Sequence, residues 1–97
     1  MSEKKLIQIK QAEKLLKVLA NKERLIILCQ LSESELSVSQ LLQNTSLSQS
    51  ALSQHLARLR ELNIVRTRKE AQTVFYSIHD KKAVAVITVL HQLYCGA

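Results

Sequence analysis

The fold is decided by residues 46–80, which read SLSQSALSQHLARLRELNIVRTRKEAQTVFYSIHD. Leucines at helical spacing follow Ser48, a favourable N-cap residue, and predict a helix that ends near Asn63. Residues 64–69 and 73–78 then mix β-branched, aromatic and basic side chains, which is typical of a β-hairpin, although Glu-Ala-Gln is not a usual tight turn. A helix of this kind can enter a DNA groove while a basic hairpin holds the phosphates beside it. The stretch therefore indicates a DNA-binding regulator rather than an enzyme.

The residues on either side of this stretch complete a mainly α-helical domain. Apolar residues at helical spacing predict a first helix over residues 3–20 and a second over residues 22–32. Ser37 is placed to cap a short third helix, and Asp80 is placed to cap a last helix near the C-terminus. The predicted order is α-α-α-α-β-β-α, with the third and fourth helices as a helix-turn-helix and the small β-hairpin as a wing. This order is that of a winged helix-turn-helix.

The length and the charge fit one nucleic-acid-binding domain. We expect the 97 residues to form a single domain, 1–97, and the chain has a formal net charge of +6 and a pI of about 9.6. From Arg58 to Lys69, five basic residues and one acidic residue give a local net charge of +4. Two cysteines, the lack of a secretory signal and the lack of a membrane-length apolar run predict a cytoplasmic protein that has neither a membrane partner nor a disulfide scaffold.

The exposed face of the fourth helix contains the candidate base-reading residues. Gln49 and Gln54 can each offer a donor and an acceptor to an adenine edge, and the small serines beside them let the backbone approach phosphates. Ser48 can alternatively act only as a helix cap, and His55 can lean toward the apolar side in a structural role. Arg58 and the hairpin are expected to contact phosphates or the minor groove. The candidate DNA-binding residues are Ser48, Gln49, Ser50, Ser53, Gln54, His55, Arg58, Arg66, Arg68, Lys69 and Gln72.

Each of these residues alone could belong to a solvated surface, but a polar helix followed by a basic hairpin favours DNA binding. On this hypothesis Gln54→Ala and Arg68→Ala weaken operator binding and leave the fold intact. The sequence shows no Gly-rich phosphate loop and no nucleophile with an evident base, so we assign no catalytic residue and expect no cofactor. A module that docks a partner protein is an alternative function.

The chain resembles the ArsR/SmtB family of bacterial winged-helix repressors over nearly its full length. The matching segments are LANKERLIILCQL (19–31), ELSVSQLL (35–42), LSQSALSQHLARLRELNIV (47–65) and TRKEAQTVFYSI (67–78). The resemblance implies a homodimer joined through its first and last helices and bound to a palindromic promoter operator in double-stranded DNA. The two recognition helices would then lie about one DNA turn apart, roughly 34 Å.

Many members of this family sense metals, but the metal-binding residues are mostly absent here. One family site uses cysteines in a pattern like ELCVCDLC, and this chain has serines and Leu42 at those positions. A second family site uses Asp and His on the last helix, and only Asp80 and His91 have usable spacing, with Ile78 and Tyr94 in place of further ligands. We therefore assign no metal site, and a zinc-responsive repressor that uses Asp80 and His91 stays the alternative.

The two cysteines provide a different candidate sensor. Taken alone, Cys29 in an apolar helix fits an inert core residue. However, the positions of Cys29 and Cys95 resemble those of the HlyU, BigR and SqrR subgroup, whose dithiol responds to reactive sulfur species or oxidants through a disulfide or a polysulfide bridge. The resemblance implies that modification of this pair lowers DNA affinity. HlyU-like relatives can also activate transcription as antirepressors, by displacing another repressor.

Overall fold

The structure, a computed structural model, describes residues 1–96 and has the predicted order of helices with one additional short strand. Residue 97 of the expected domain lies outside the described part of the chain. The elements in chain order are α1 (Glu3–Leu19), α2 (Lys22–Glu33), β1 (Leu36–Ser37), α3 (Val38–Gln43), α4 (Gln49–Glu61), β2 (Val65–Glu70), β3 (Thr73–Ile78) and α5 (Lys81–Tyr94).

Side-chain caps begin the helices at the positions that the sequence predicts. Ser37 and Gln40 form a reciprocal capping box at α3, and the Ser48 hydroxyl accepts a hydrogen bond from the backbone N–H of Ala51 at 3.1 Å. Helix α4 ends in a Schellman arrangement, because Asn63 adopts a left-handed φ of 59° and the Ile64 N–H returns to the Leu59 carbonyl at 2.9 Å. This end turns the chain from α4, the predicted recognition helix, directly into the wing.

The wing is the larger part of a three-stranded antiparallel sheet with strand order β1-β3-β2. The hairpin β2–β3 was predicted, whereas the two-residue strand β1 is too short to give a sequence signal. Glu70 pairs with Thr73 across a two-residue turn, in which Ala71 has a φ of 54°. Ala71 therefore occupies a left-handed conformation that glycine adopts with less strain.

The core joins the central helix α2 to the recognition helix and to α5. Leu52, Leu56 and Leu59 of α4 are almost completely buried, as their helical spacing predicts. They belong to one cluster with Ile27 and Leu28 of α2, and this cluster extends to the buried face of α5. The recognition helix is thus held on its apolar side, and its polar side is left to solvent.

Helices α1 and α5 present apolar side chains that their own chain does not cover. On one face of α1, Ile9 is 49% exposed and Leu16 is 57% exposed, and on α5 Val89 is 52% exposed and Leu93 is 70% exposed. Surfaces of this kind are typical of protein–protein contacts. No helix within residues 1–96 is both long and apolar enough to cross a membrane.

Candidate nucleic-acid interface and cysteine pair

The polar face of α4 is exposed along its whole length, as the sequence predicts. Gln49, Ser50, Ser53 and Gln54 are exposed, while His55 is half-buried at the edge of the apolar face. Both glutamine amides can therefore reach a DNA edge without any rearrangement of the core. The position of His55 fits a side chain that supports the helix more than one that reads bases.

Two other candidate residues at α4 already have partners within the chain. Ser48 caps the helix through its hydroxyl, as described above, and remains exposed. The Arg58 guanidinium lies 3.3 Å from the Glu61 carboxylate, one turn further along the helix, and both side chains are more than half exposed. An exposed pair of this kind contributes little to stability. Arg58 can therefore exchange Glu61 for a phosphate at small cost.

Arg68 is held much more firmly than the other basic residues of the wing. Its Nη2 donates to Glu35 at 2.7 Å, its Nε donates to both Glu35 oxygens at 3.1 and 3.2 Å, and its Nη1 donates to Glu70 at 2.8 Å. The guanidinium also lies over the Phe75 ring, 5.0 Å from the ring centroid. We call Glu35, Arg68 and Glu70 the wing clamp. Its net charge is −1, so it adds no positive charge to the DNA-facing surface.

The hydrogen bonds of the clamp also change the acidity of its groups. The bond from Arg68 lowers the pKa of Glu35 below its usual range, and the two carboxylates raise the pKa of Arg68. Both groups therefore stay charged across the physiological pH range. The clamp is an ionic contact between the wing and the segment that follows α2.

Arg66, Lys69 and Gln72 remain available for an external partner. All three are exposed, and among the described residues neither Arg66 nor Lys69 has a carboxylate within 4.0 Å. Arg66 and Lys69 can thus contribute their positive charge to phosphates, whereas Arg68 cannot do so without leaving two carboxylates. Arg66, Arg68 and Lys69 look equivalent in the sequence, but in the structure Arg68 differs from the other two because it is paired with two carboxylates.

Sequence reasoning missed Glu35, because its contact with Arg68 joins residues 33 positions apart. Local patterns identify helix faces and hairpins but carry no signal for an ion pair of this range. Glu33 and His91 were likewise not connected by the sequence, and their side chains lie 3.6 Å apart between α2 and α5.

The two cysteines lie near this α2–α5 contact, Cys29 within α2 and Cys95 as the C-cap residue of α5. Cys29 is half-buried and Cys95 is exposed, and both are free thiols. Burial raises the pKa of Cys29 above its ordinary value, and the nearby Cys95 and Glu33 raise it further. Cys29 therefore has a small thiolate fraction at neutral pH, and its reactions depend on the groups around it.

A groove of about 630 Å³ gives access to Cys29 from the surface. Its walls include Leu25 and Ile26, and its polar residues include Asn21 and Asn44. The groove is open enough to admit a small thiol reagent. Cys29 therefore does not have the fully enclosed environment of an inert core cysteine.

The two residues of the alternative zinc site do not meet within one chain. Asp80 caps α5 and accepts from the Lys82 and Ala83 backbone N–H groups at 2.8 and 3.3 Å. His91 lies about 16 Å further along the same helix, since each residue rises about 1.5 Å, and it contacts Glu33. Within residues 1–96, no group of three or more His, Cys, Asp or Glu side chains is arranged to hold a metal ion.

A polar recognition helix beside a basic wing defines a winged helix-turn-helix DNA-binding protein. The profile described as "Bacterial regulatory protein, arsR family" matches residues 21–67. The chain is 58% identical over 83 residues to the transcriptional activator HlyU of Vibrio cholerae, covering 86% of this chain and 77% of that protein. It is 42% identical over 82 residues to the biofilm growth-associated repressor of Agrobacterium fabrum, covering 84% and 70% of the two chains.

Solved structures agree with these sequence matches. Reduced HlyU from Vibrio cholerae superposes with a TM-score of 0.91 at 51% identity, over 97% of this chain and 99% of that chain. This protein belongs to the ArsR family of transcriptional regulators, and its relatives confirm the HlyU- and BigR-like subgroup. The prediction of a DNA-binding regulator rather than an enzyme is confirmed in the same way.

Proposed function

We propose that this regulator binds a palindromic promoter operator as a homodimer, and that modification of the Cys29/Cys95 dithiol releases it from DNA. The observation that supports the switch is the placement of the two free cysteines, each four residues from the Glu33–His91 contact between α2 and α5. That contact belongs to the same core that holds the recognition helix. A covalent bridge there can therefore change the geometry of the DNA-binding surface.

The exposed apolar stripes on α1 and α5 support the homodimer. A two-fold symmetric pair joined through these helices covers the exposed Ile9, Leu16, Val89 and Leu93. Each protomer then presents one α4 to one half-site, and the two half-sites read the same bases in opposite directions. Gln49 and Gln54 read bases, the serines and Arg58 contact the backbone, and Arg66, Lys69 and Gln72 extend the contact through the wing.

The proposed modification is a two-electron oxidation of the two thiols. With a low-molecular-weight disulfide RSSR, Cys29 and Cys95 form one S–S bond, the RS–SR bond breaks, and two RSH molecules carry away the two protons. With an organic trisulfide RSSSR, the same exchange leaves one extra sulfur between the two cysteines. A longer bridge relaxes the Cα–Cα separation of about 4.4–6.8 Å that a direct disulfide needs.

The relatives of this protein include both an activator and a repressor of transcription. HlyU of Vibrio cholerae is a transcriptional activator, and the Agrobacterium fabrum relative is a repressor. We propose repression by operator occupancy as the basic activity, because a bound dimer at a promoter blocks access to it. Displacement of another repressor from overlapping DNA would make the same binding event activating. Either role requires a cytoplasmic location, where the chromosome is accessible.

A gel shift on the upstream region of the regulator's own gene tests the proposal. The reduced protein should give a discrete complex, and the protein treated with an organic trisulfide should give a complex at least fivefold weaker, the lower end of ordinary coupling between two sites. Mass spectrometry should show Cys29 and Cys95 linked within one chain. Equal binding by both samples, together with an unchanged response of Cys29→Ser and Cys95→Ser, would contradict the switch.

The alternative metal-responsive function is tested in the same assay. Asp80 and His91 are the available ligands on α5, and a two-fold dimer could bring Asp80 of one protomer near His91 of the other. Release of the operator by zinc, abolished in His91→Ala and retained in Cys29→Ser, would favour that function over the thiol switch. A steep salt dependence of binding would argue against a module that docks only proteins.

A further inference from the structure

Two carboxylates at the end of α2 contact two different parts of the molecule. Glu33, the last residue of the helix, lies 3.6 Å from His91 on α5. Glu35, two residues later, accepts from Arg68 on the wing at 2.7 Å. The short segment from Glu33 to Glu35 is therefore in contact with the sensor side and the DNA-binding side at once.

The contact on the sensor side lies next to the cysteines. Cys29 is four residues before Glu33 on α2, and Cys95 is four residues after His91 on the α5 side. Residues four apart lie on the same face of a helix, one turn from each other. The two pairs run in opposite chain order, as neighbouring antiparallel helices require. A bridge between Cys29 and Cys95 thus fixes the α2–α5 spacing one turn away from the Glu33–His91 contact.

The contact on the wing side ties the three strands of the sheet together. Arg68 on β2 lies opposite Phe75 on β3, and Phe75 lies opposite Ser37 on β1. The Arg68 side chain extends over the Phe75 ring and reaches Glu35, the residue that precedes β1. The orientation of the hairpin is therefore fixed relative to the end of α2, and not only by the strand hydrogen bonds.

On this basis we propose that Glu33 and Glu35 transmit the oxidation state of the cysteine pair to the wing. Arg68 then acts as a positioning residue that holds the wing, and not as a phosphate contact. This inference rests on the proposed thiol switch and specifies its route. In the reduced protein both carboxylate contacts are made and the wing is held. Bridging of the cysteines moves His91 on α5, and the Glu33–His91 contact passes this shift to the end of α2. Glu35 is thereby withdrawn from Arg68, and the wing leaves the orientation that DNA needs.

The chain offers a closely matched pair of variants for a test. Glu35→Gln and Glu70→Gln each remove one carboxylate from Arg68 and each add one unit of positive charge, so their general effects on DNA attraction are alike. Only Glu35→Gln separates the wing from α2. Wild type and both variants are oxidised with diamide, which takes two electrons and two protons from the thiols and becomes a hydrazine as the disulfide forms. Mass spectrometry verifies equal conversion of the three samples.

The readout is the ratio of the operator Kd after oxidation to the operator Kd before it, measured by fluorescence anisotropy at one salt concentration. Wild type and Glu70→Gln should show a ratio of at least about fivefold. Glu35→Gln should show a ratio below about twofold, because its wing is already released in the reduced state. A full ratio in Glu35→Gln would overturn the route and leave the thiol switch intact. A ratio of one in wild type would overturn the switch and the route together.

Hydrogen exchange provides a second readout that needs no operator. Amides of β2 and β3 should exchange faster after oxidation in wild type and in Glu70→Gln, and should be fast before and after oxidation in Glu35→Gln. Glu33→Gln breaks the contact with His91 instead, so it should keep slow wing exchange in both states. If oxidation changed the operator Kd of the wild type but left the exchange rates of its wing amides unchanged, the wing would be excluded as the element that receives the signal.

Discussion

Arg68 and Glu35 are 33 positions apart in the chain and form a bidentate ion pair with a shortest distance of 2.7 Å. Fork-shaped pairing of this kind fixes orientation as well as distance, because two parallel N–H groups face both carboxylate oxygens. The wing of this regulator is thereby attached to the body of the domain by a directional contact. Of the three basic residues of β2, Arg66 and Lys69 have no carboxylate within 4.0 Å in the described part of the chain.

The recognition helix leads to a first prediction, for Gln54→Ala and Gln49→Ala. Each loss of a bidentate base contact should weaken binding to the cognate operator by about 1–3 kcal/mol, roughly 5- to 150-fold, with little change on random DNA. The unfolding midpoint should not change, because both side chains are exposed. Fluorescence anisotropy with cognate and scrambled duplexes measures both affinities. Gln11→Ala, an exposed glutamine on the face of α1 away from Ile9 and Leu16, is the matched control, and an equal loss on the scrambled duplex would contradict base reading.

The wing leads to a second prediction, which concerns salt dependence. Arg66→Gln and Lys69→Gln should each reduce the slope of log K against log salt concentration by about 1, because each removes one phosphate neutralisation. Arg68→Gln should weaken binding without this change in slope, since its charge is already matched by Glu35 and Glu70. Titrations at four salt concentrations separate these cases. A slope reduced equally in all three variants would assign Arg68 to the phosphates.

The exposed stripes on α1 and α5 lead to a third prediction. Ile9→Glu and Val89→Glu should shift the protein toward a monomer, because each places a charge in an apolar contact. Sedimentation equilibrium measures the change. Val74→Glu is the control, since Val74 is also an exposed apolar residue but lies on the wing. Dissociation by the control variant as well would show that any added acidic residue weakens the dimer.

The position of Glu33 leads to a fourth prediction, for the reactivity of Cys29. Burial, Cys95 and Glu33 raise the pKa of the Cys29 thiol, so removing the negative charge of Glu33 should lower that pKa and increase the thiolate fraction. Glu33→Gln should speed alkylation of Cys29 at pH 8 by roughly twofold, well below the tenfold of one full pKa unit. The gain should vanish as the pH rises above the pKa. Glu61→Gln, remote from the thiol, should leave the rate unchanged.

The hairpin turn leads to a fifth prediction, for Ala71→Gly. A left-handed conformation costs a residue with a Cβ about 1–2 kcal/mol, and the extra chain entropy of glycine offsets part of the gain. Ala71→Gly should therefore stabilise the protein by about 0.5–1 kcal/mol in denaturant unfolding. Ala57→Gly within α4 should destabilise it by about 1 kcal/mol. A loss of stability in both variants would contradict strain at Ala71.

Local chemistry explains why most of the fold could be predicted from the sequence. Ser37, Ser48 and Asp80 cap helices by contacts within three residues, and the buried leucines of α4 repeat at helical spacing. Local signals of this kind can be recognised in one sequence without knowledge of the fold. The strand β1 was missed because its two residues become a strand only by pairing with Phe75 and Tyr76, far along the chain.

The candidate site was predictable only as a set of exposed polar and basic residues. The different situations of Arg66, Arg68 and Lys69 depend on a carboxylate that follows α2, and the sequence does not show which arginine it meets. The acidity of Cys29 likewise depends on how α5 packs against α2. The sequence pattern shows where a residue lies along a helix or strand. Its partners from distant parts of the chain can be identified only from the folded structure.

The uncovered apolar stripe of α1 has a consequence for how the cell uses this protein. If α1 finds its cover only on a second chain, the amount of DNA-competent protein depends on expression level as well as on thiol state. At concentrations below the dimer dissociation constant, operator occupancy rises with the square of the chain concentration, so doubling synthesis raises occupancy about fourfold. A modest change in gene dosage would then shift the level of thiol oxidation at which the proposed switch releases the operator.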